Sequence, residues 1–312
     1  MFLVSGVELV AAACRKGVIG AFPTANCRSS EELDGWLVEM EHKGARYAGE
    51  TGAPIAPLCP NLIVHRSNIR LHDDLNILLR HKPELVITSV GSPAPVLEPL
   101  HDVGALVFAD VASVRHAERA AAVGADGLVL LTAGAGGQTG WLNPFAFVRA
   151  VRGFFDGPLV LAGGISDGQA LRAAQVLGCE LGYMGTKFIA TDESMADERY
   201  KQMLVSSTAD DILLTRAFTG LQTNMLRPSI VAAGLDPDAL PERGGIDIAK
   251  DIDVAARDQR PRRWRDIWSG GHSTSGLTRV MSVAELVDQT SLEYHSTEAL
   301  TSSNRDLKGF KT

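Results

Sequence analysis

Three glycine-rich stretches contain the residues of this 312-residue chain that are best suited to chemistry. They are residues 132–140 (TAGAGGQTG), 162–168 (AGGISDG) and 184–188 (MGTKF). Glycines let backbone N–H groups approach a flat or anionic ligand closely, because they carry no side chain. The first stretch by itself is explained equally well by a flexible loop, so its meaning depends on its neighbours.

The second and third stretches end two consecutive predicted strands, at residues 159–162 and 181–184. In a barrel, such neighbouring strand ends form a phosphate cup from loop amides and a helix N-terminus. Their order and spacing therefore predict a phosphate-bearing ligand. The alternative is that these glycines serve only close packing of the backbone.

Short apolar runs that alternate with helical patterns must position these loops. Predicted helices begin at hydroxyl caps such as Ser29 and Ser113. Strands that are apolar throughout indicate a parallel sheet covered by helices. A strand–helix unit of roughly 20 to 25 residues favours an α/β fold of the (β/α)8 TIM-barrel type over an open doubly wound sheet. The predicted strands are residues 18–21, 61–65, 85–88, 105–109, 127–131, 159–162 and 181–184.

The pattern divides the chain into three parts. Residues 1–190 are predicted to form the α/β barrel, although only seven strands are found and the first strand of a barrel is missing from the given chain. Residues 191–294 are predicted to be a C-terminal helical and loop segment packed on or beside the barrel, with 195–235 helical. Residues 295–312 resemble a disordered tail.

Composition excludes several classes of protein. A net charge of −7 argues against a nucleic-acid partner, and the basic run of Arg260, Arg262, Arg263 and Arg265 is interpreted as a solvated surface. No apolar run is long enough for a membrane span, and the start is interpreted as a helix and not a signal peptide. Four widely spaced cysteines without a C-x-x-C pair predict neither zinc nor disulfides, so we expect a cytoplasmic protein.

Five segments together resemble one family. GAGGQTG, AGGISDG and MGTKF are similar to the flavin-binding half of nitronate monooxygenases, also called 2-nitropropane dioxygenases. NLIVHRSN and DIWSGGHSTSG resemble the third strand and the C-terminal segment of the same family. The resemblance covers residues 1 to about 294. It implies an FMN enzyme without a metal, which oxidises small alkyl nitronates with dioxygen to a carbonyl compound and nitrite.

The resemblance also implies roles for individual residues. Asn61 is expected to contact the flavin ring, and Gly136 and Gly137 to face the isoalloxazine. Leu131 stands where many members have a Gln that touches the flavin. The phosphate and its surroundings are assigned to Gly163, Gly164, Tyr183, Met184, Gly185 and Thr186.

The largest departure from the family lies in the first glycine stretch. Members carry A-G-G-H, with a His beside the reactive part of the flavin, whereas this chain has Gln138. A carboxamide donates hydrogen bonds to a nitronate oxygen but does not accept a proton near neutral pH. We therefore expect oxidation of preformed nitronates to survive and proton abstraction from neutral nitroalkanes to fail. His272 is the weaker second candidate for catalysis.

Four further residues are candidates for the site, and each of them also has an explanation that involves no ligand. Ser89 and Asp110 end consecutive predicted strands and are candidates for the pocket. His65, at another strand end, is more simply explained without a ligand. Lys187 either neutralises the phosphate or lies on the surface.

Two rival functions remain open at this stage. One is an FMN-dependent enoyl-thioester reductase that uses NAD(P)H. The other is a flavin-binding or degenerate barrel without catalysis, which acts as a partner in a biosynthetic pathway. A homo-oligomer is a further open possibility.

The missing strand has three competing explanations. Family members begin with a strand that ends in A-P-M, and Met1 aligns with that Met. A start codon assigned too late, a shortened chain and a true seven-stranded form would each produce this pattern. The first two are favoured, because the remaining strands keep the pattern of a closed barrel.

Overall fold

The computed structural model describes residues 1–245 and 266–303, and a curled parallel sheet of seven strands forms its centre. The strand order is β1-β2-β3-β4-β5-β7-β8, as expected for a TIM-type α/β fold. The strands are β1 (Gly20–Pro23), β2 (Leu58–Ile63), β3 (Leu85–Ser89), β4 (Leu106–Val111), β5 (Gly127–Leu131), β6 (Gly137–Gln138), β7 (Leu159–Ala162), β8 (Leu181–Tyr183), β9 (Ile212–Thr215) and β10 (Thr223–Leu226).

Helices follow most strands, and several begin at the predicted caps. Ser29 accepts a hydrogen bond from Glu32 N at 3.2 Å, and Ser113 accepts one from His116 N at 3.2 Å. The helices are α1 (Val7–Arg15), α2 (Ser30–Thr51), α3 (Leu71–His81), α4 (Ala94–Asp102), α5 (Val114–Ala122), α6 (Pro144–Val151), α7 (Gly168–Leu177), α8 (Thr186–Ile189), α9 (Glu198–Ser206), α10 (Arg227–Ala232) and α11 (Val283–Ser303).

Alternation along the strands gives the sheet two apolar faces. Leu62 and Val107 pack with residues of the surrounding helices, and Leu128 does the same further along the sheet. Their sequence neighbours Phe108 and Val129 point to the inner side, where they form a separate cluster. Both faces are buried, which explains why the strands are apolar throughout.

The sheet has an open side between β1 and β8. No pairing joins these two strands within the described residues. A largely apolar groove of about 380 Å³ lies there, with Ile19 and Ala21 on one side and Gly182 on the other. α11 packs against α7 and α1 near this groove. The sheet is therefore a curled, incompletely closed barrel within the part of the chain described.

The prediction that residues 195–235 are helical is wrong between α9 and α10. Strands β9 and β10 lie there and pair antiparallel with each other, and β10 also pairs with β6. Short apolar runs such as ILLT do not separate strand from helix by periodicity alone. Leu226 and Trp268 join Val4 and Ile189 in one cluster, so this segment packs on the barrel.

The ends of the third part differ from the predicted boundaries. α11 continues to Ser303, beyond the start of the tail proposed at residue 295. The basic run of Arg260, Arg262, Arg263 and Arg265 lies outside the described residues. Within residues 1–245 and 266–303, no helix is long and apolar enough to cross a membrane.

The buried ion pair of Arg70 and Asp74 gives a first test of this architecture. The Asp74 side chain is 2% exposed and lies 2.8 Å from Arg70 Nη2. Ser30 Oγ donates to Asp74 Oδ1 at 2.8 Å, and Arg70 Nη1 donates to Cys27 O at 2.6 Å. The pair therefore joins α3 to α2 and to the turn after β1.

We expect Asp74→Ala to lower the free energy of unfolding by about 3 kcal/mol, because it leaves the largely buried guanidinium of Arg70 without its carboxylate. Glu50→Ala is the control, since it breaks the exposed pair with Arg46 at 2.7 Å. That change should cost only about 0.5 kcal/mol. Urea unfolding of both variants measures the difference, and equal losses would contradict the role of Asp74.

Candidate functional site at the carboxyl ends of the strands

The carboxyl ends of the parallel strands open into a cavity of about 220 Å³. Inward-facing side chains follow the apolar inner cluster in the same alternation and form the cavity floor. Three consecutive strands contribute polar groups here, and other strands contribute apolar or aromatic ones. The floor residues are Asn61, Ser89, Asp110, Leu131, Ala162 and Tyr183.

The polar floor residues are linked by hydrogen bonds. Ser89 Oγ donates to Asn61 Oδ1 at 2.7 Å, which orients the carboxamide. Asn61 in turn interacts with the Asp110 side chain and lowers its pKa. The Oδ1 atom of Asp110 is enclosed and has no hydrogen-bond partner. Burial raises the pKa of Asp110 to about 7, although the Met1 amino group and the Asn61 bond oppose that rise.

The backbone beside the floor is strained. Val90 lines the cavity and has φ 58°, in the left-handed region that β-branched residues rarely adopt. The next residue is Gly91, where an added Cβ would lie 3.1 Å from Val64 O. Such strain persists only where the surroundings fix it, and it is common at functional sites.

The first glycine stretch is a fixed wall of the cavity and not a flexible loop. Asn224 Nδ2 donates to Ala133 O at 2.8 Å and to Ala135 O at 2.7 Å. Pairing with Thr223 also holds the backbone of Gln138, and this residue lines the cavity. The backbone around His272 therefore packs against a loop whose conformation other contacts already fix.

His272 contributes its backbone to this wall. Its N–H donates to Gly134 O at 3.0 Å, whereas its side chain is exposed and does not line the cavity. His65 also lies outside the lining, and its ring bonds Ser67 Oγ at 2.7 Å. Gln138 is thus the candidate for catalysis that the structure brings to the cavity.

The glycines of the site fall into two kinds. An added Cβ on Gly136 would lie 2.8 Å from Gly271 N, and one on Gly163 would lie 2.5 Å from Ala135 N. These two positions need glycine for close packing of loops. Gly164, with φ +75°, would project a Cβ into open space on the cavity side. Gly185 is nearly as open, since its added Cβ would lie 3.6 Å from Met1 Cγ.

The open glycines lie where the sequence predicted a phosphate cup. Within the described residues, the N–H groups of Gly164 and Thr186 have no hydrogen-bond acceptor. Thr186 Oγ1 accepts from Gly271 N at 2.9 Å, which fixes the third glycine stretch. Lys187 does not line the cavity; its Nζ donates to Gly276 O at 3.3 Å, and burial lowers its pKa. Unpaired amides in a concave backbone suit an anionic group.

Several lining residues were not foreseen from the sequence. Thr219 lies in the connection between β9 and β10, which the helical prediction concealed. Val90 has no sequence signal, because its unusual φ is a property of the fold. The others are Phe2, Pro23, Ile63, Ile189, Ser269 and Ser273.

Fold and site together define a TIM-type α/β protein with an amide-lined cup at the mouth of its barrel. The family model of nitronate monooxygenase matches residues 29–293. The chain therefore belongs to the nitronate monooxygenase family, whose members are flavoproteins. This result confirms the resemblance drawn from the glycine stretches.

Two curated relatives support the assignment. The chain is 30% identical over 233 residues to a nitronate monooxygenase of Paraburkholderia phytofirmans, which covers 70% of this chain and 63% of the relative. It is 31% identical over 229 residues to one of Pseudomonas aeruginosa, covering 68% and 64%. The match thus spans slightly less than two thirds of each relative.

Three solved structures share the fold. FabK from Thermotoga maritima superimposes with a TM-score of 0.77 at 21% identity, covering 97% of this chain and 93% of that chain. The nitroalkane oxidase of Streptomyces ansochromogenes gives 0.75 at 22%, covering 96% and 94%. The enoyl reductase domain of MlnA from Bacillus amyloliquefaciens gives 0.68 at 14%, covering 96% and 93%. At these identities the likeness concerns the fold alone.

Gly136 offers a test of the packing between the glycine wall and the C-terminal segment. We expect Gly136→Ala to lower the free energy of unfolding by about 1–3 kcal/mol, because its methyl group must displace backbone. Gly35→Ala in α2 is the control, since its added Cβ meets nothing within 4 Å. That helix substitution should stabilise by roughly 0.5–1 kcal/mol. Thermal or urea unfolding decides between them, and equal effects would contradict the packing role.

Proposed function

We propose that the chain is an FMN-dependent nitronate monooxygenase, which oxidises small alkyl nitronates with dioxygen to a carbonyl compound and nitrite. The observation that carries the proposal is the cup at Gly164, where a Cβ would enter open space and neighbouring amides lack acceptors among the residues that the structure describes. The family assignment supports the same chemistry. The chain matches slightly less than two thirds of the length of each of these relatives. The activity is therefore a proposal and does not follow from the family assignment alone.

The residues present fit a flavin mononucleotide. Gly164, Gly185 and Thr186 would hold the phosphate through backbone N–H groups, as at other anion sites built from loops. Asn61 and Gly137 would lie beside the ring system. When bound, the flavin supplies the redox chemistry between nitronate and dioxygen.

The protein groups orient the substrate and keep the reaction away from bulk water. Gln138 extends into the cavity from a backbone fixed by β10, so its carboxamide can donate to a nitronate oxygen. The apolar floor residue Leu131 and the aromatic Tyr183 limit the space for water. The cavity has a volume of about 220 Å³. The cofactor would occupy part of this volume, so the substrate that shares the cavity must be a small molecule.

Four buried free thiols are compatible with a reducing, cytoplasmic setting. Burial raises the pKa of Cys14 to about 11 and that of Cys27 to about 12. These thiols therefore stay protonated and unreactive at neutral pH. They are not candidates for the chemistry of the site.

Gly164→Leu tests the cup directly. We expect the purified variant to lose the yellow flavin absorbance and to bind added FMN at least about tenfold more weakly, since the side chain fills the cup. Gly104→Leu is the matched control, because Gly104 has φ +87° and nothing within 4 Å of an added Cβ, outside the cavity. Both variants carry similar backbone strain of about 1–2 kcal/mol.

The outcome separates a ligand site from general strain. Full flavin content in Gly164→Leu would contradict the proposed phosphate cup at Gly164. Equal losses in both variants would assign the effect to strain alone. NAD(P)H oxidation that depends on an enoyl thioester, without nitronate oxidation, would instead favour the reductase.

Gln138→His tests the position over the substrate. We expect it to increase turnover of neutral nitroalkanes more than turnover of preformed nitronates, because the added imidazole is a base that only the former can use. Oxygen consumption with nitroethane and with its nitronate provides the two rates. An identical change for both substrates would count against this position for Gln138.

A further inference from the structure

The cavity contains one carboxylic acid among its described lining residues, Asp110. It lies at the carboxyl end of β4, and its Oδ1 atom is enclosed without a partner. No Lys or Arg belongs to the described lining, and the cationic group that lowers the pKa of Asp110 is the Met1 amino group. The side chain as a whole is partly buried, and an enclosed carboxyl oxygen without a partner destabilises a fold, which makes a purely structural role unfavourable.

Its neighbours hold the carboxyl in a defined orientation. Ser89 Oγ fixes the Asn61 carboxamide through the 2.7 Å hydrogen bond to Asn61 Oδ1. The NH2 group of Asn61 is then the part of the carboxamide left to interact with Asp110, and this interaction opposes the rise in the pKa of Asp110. Asn61 and Ser89 are therefore positioning residues, and Asp110 is the group that can exchange a proton.

We propose, on the basis of the function above, that Asp110 is the general base that removes the α-proton of a neutral nitroalkane. In this step the carbon–hydrogen bond breaks and the proton moves to a carboxylate oxygen of Asp110. The electron pair stays with the substrate and forms the nitronate, so no oxidant is needed. The chain would thus produce within its own cavity the species that the proposed function consumes.

This assignment accounts for the departure at Gln138. Gln138 does not accept a proton near neutral pH. If Gln138 were the only catalytic residue, proton abstraction from neutral nitroalkanes would be expected to fail. Asp110 supplies a base from the floor of the same cavity, on a strand and not on the loop. The two residues then have separate roles. Gln138 donates a hydrogen bond to the nitro group, and Asp110 accepts the α-proton.

The titration of neighbouring groups fixes the direction of the pH dependence. Burial raises the pKa of Asp110 to about 7, so its basic form accumulates as pH rises through neutrality. Burial lowers the pKa of the Met1 amino group to about 6, which places a second titration nearby. Burial also raises the pKa of Tyr183 and of Cys59, so both stay protonated in this range.

The decisive experiment follows loss of deuterium from α-deuterated nitroethane in water under anaerobic conditions by NMR. It compares the natural protein, loaded with flavin, with Asp110→Asn and with the control Asp102→Asn, whose acid is exposed and outside the cavity. We expect Asp110→Asn to slow this exchange about 100-fold or more, and Asp102→Asn to leave it unchanged. The exchange rate of the natural protein should rise with pH through about 7 or higher, and this inflection should disappear in Asp110→Asn.

A second measurement separates the inference from the proposed function. Oxidation of preformed nitronate reports the function, and Asp110→Asn should impair it far less than it impairs exchange. Exchange that is absent in the natural protein, or unchanged in Asp110→Asn, would overturn the role of Asp110 while nitronate oxidation still supports the function. Loss of nitronate oxidation in the natural protein would overturn the function itself.

A third outcome concerns cofactor binding. The flavin absorbance of Asp110→Asn should match that of the natural protein. Loss of flavin from this variant, together with parallel losses of exchange and nitronate oxidation, would identify Asp110 as a cofactor ligand and overturn its role as a base.

Discussion

The register of the parallel ladder from β2 to β4 is the constraint on which the site depends. Leu62 pairs with Thr88, and Thr88 pairs with Ala109, so alternation sends Asn61, Ser89 and Asp110 to the inner face. A slip of one residue in a strand would turn its polar group toward the covering helices. The buried outer face therefore specifies the register, and through it the cavity floor.

The wall of the cavity depends on contacts between distant parts of the chain. Asn224 holds the carbonyls of Ala133 and Ala135, 91 and 89 residues away in sequence. Gly271 meets the same wall, and Tyr200 donates to Ser269 O at 2.6 Å. The segment after residue 190 thus completes the site and is more than a cover for the barrel. Its apolar contacts offset the entropy of closing such long loops.

Part of this molecule follows from local sequence, and part requires the fold. The runs at Gly127–Leu131 and Leu159–Ala162 coincide with β5 and β7, because continuous apolar runs between glycines and helices indicate buried parallel strands. β9 and β10 were missed, since apolar runs of four residues do not separate strand from helix by periodicity, and β6, the second partner of β10, is distant in sequence. Sequence also grouped all glycines of the site together. Only the fold separates Gly136, which packs on backbone, from Gly164, which faces open space.

Charge balance links the two ends of the cavity. The described lining offers backbone amides at the cup and one carboxyl at the floor, without Lys or Arg. A phosphate held at the cup would add negative charge to the cavity that contains Asp110. Like charges disfavour ionisation, so the pKa of Asp110 would rise above its value of about 7 in the free cavity. A carboxylate with a higher pKa is a stronger base, so the proposed phosphate would make Asp110 more basic when it is bound.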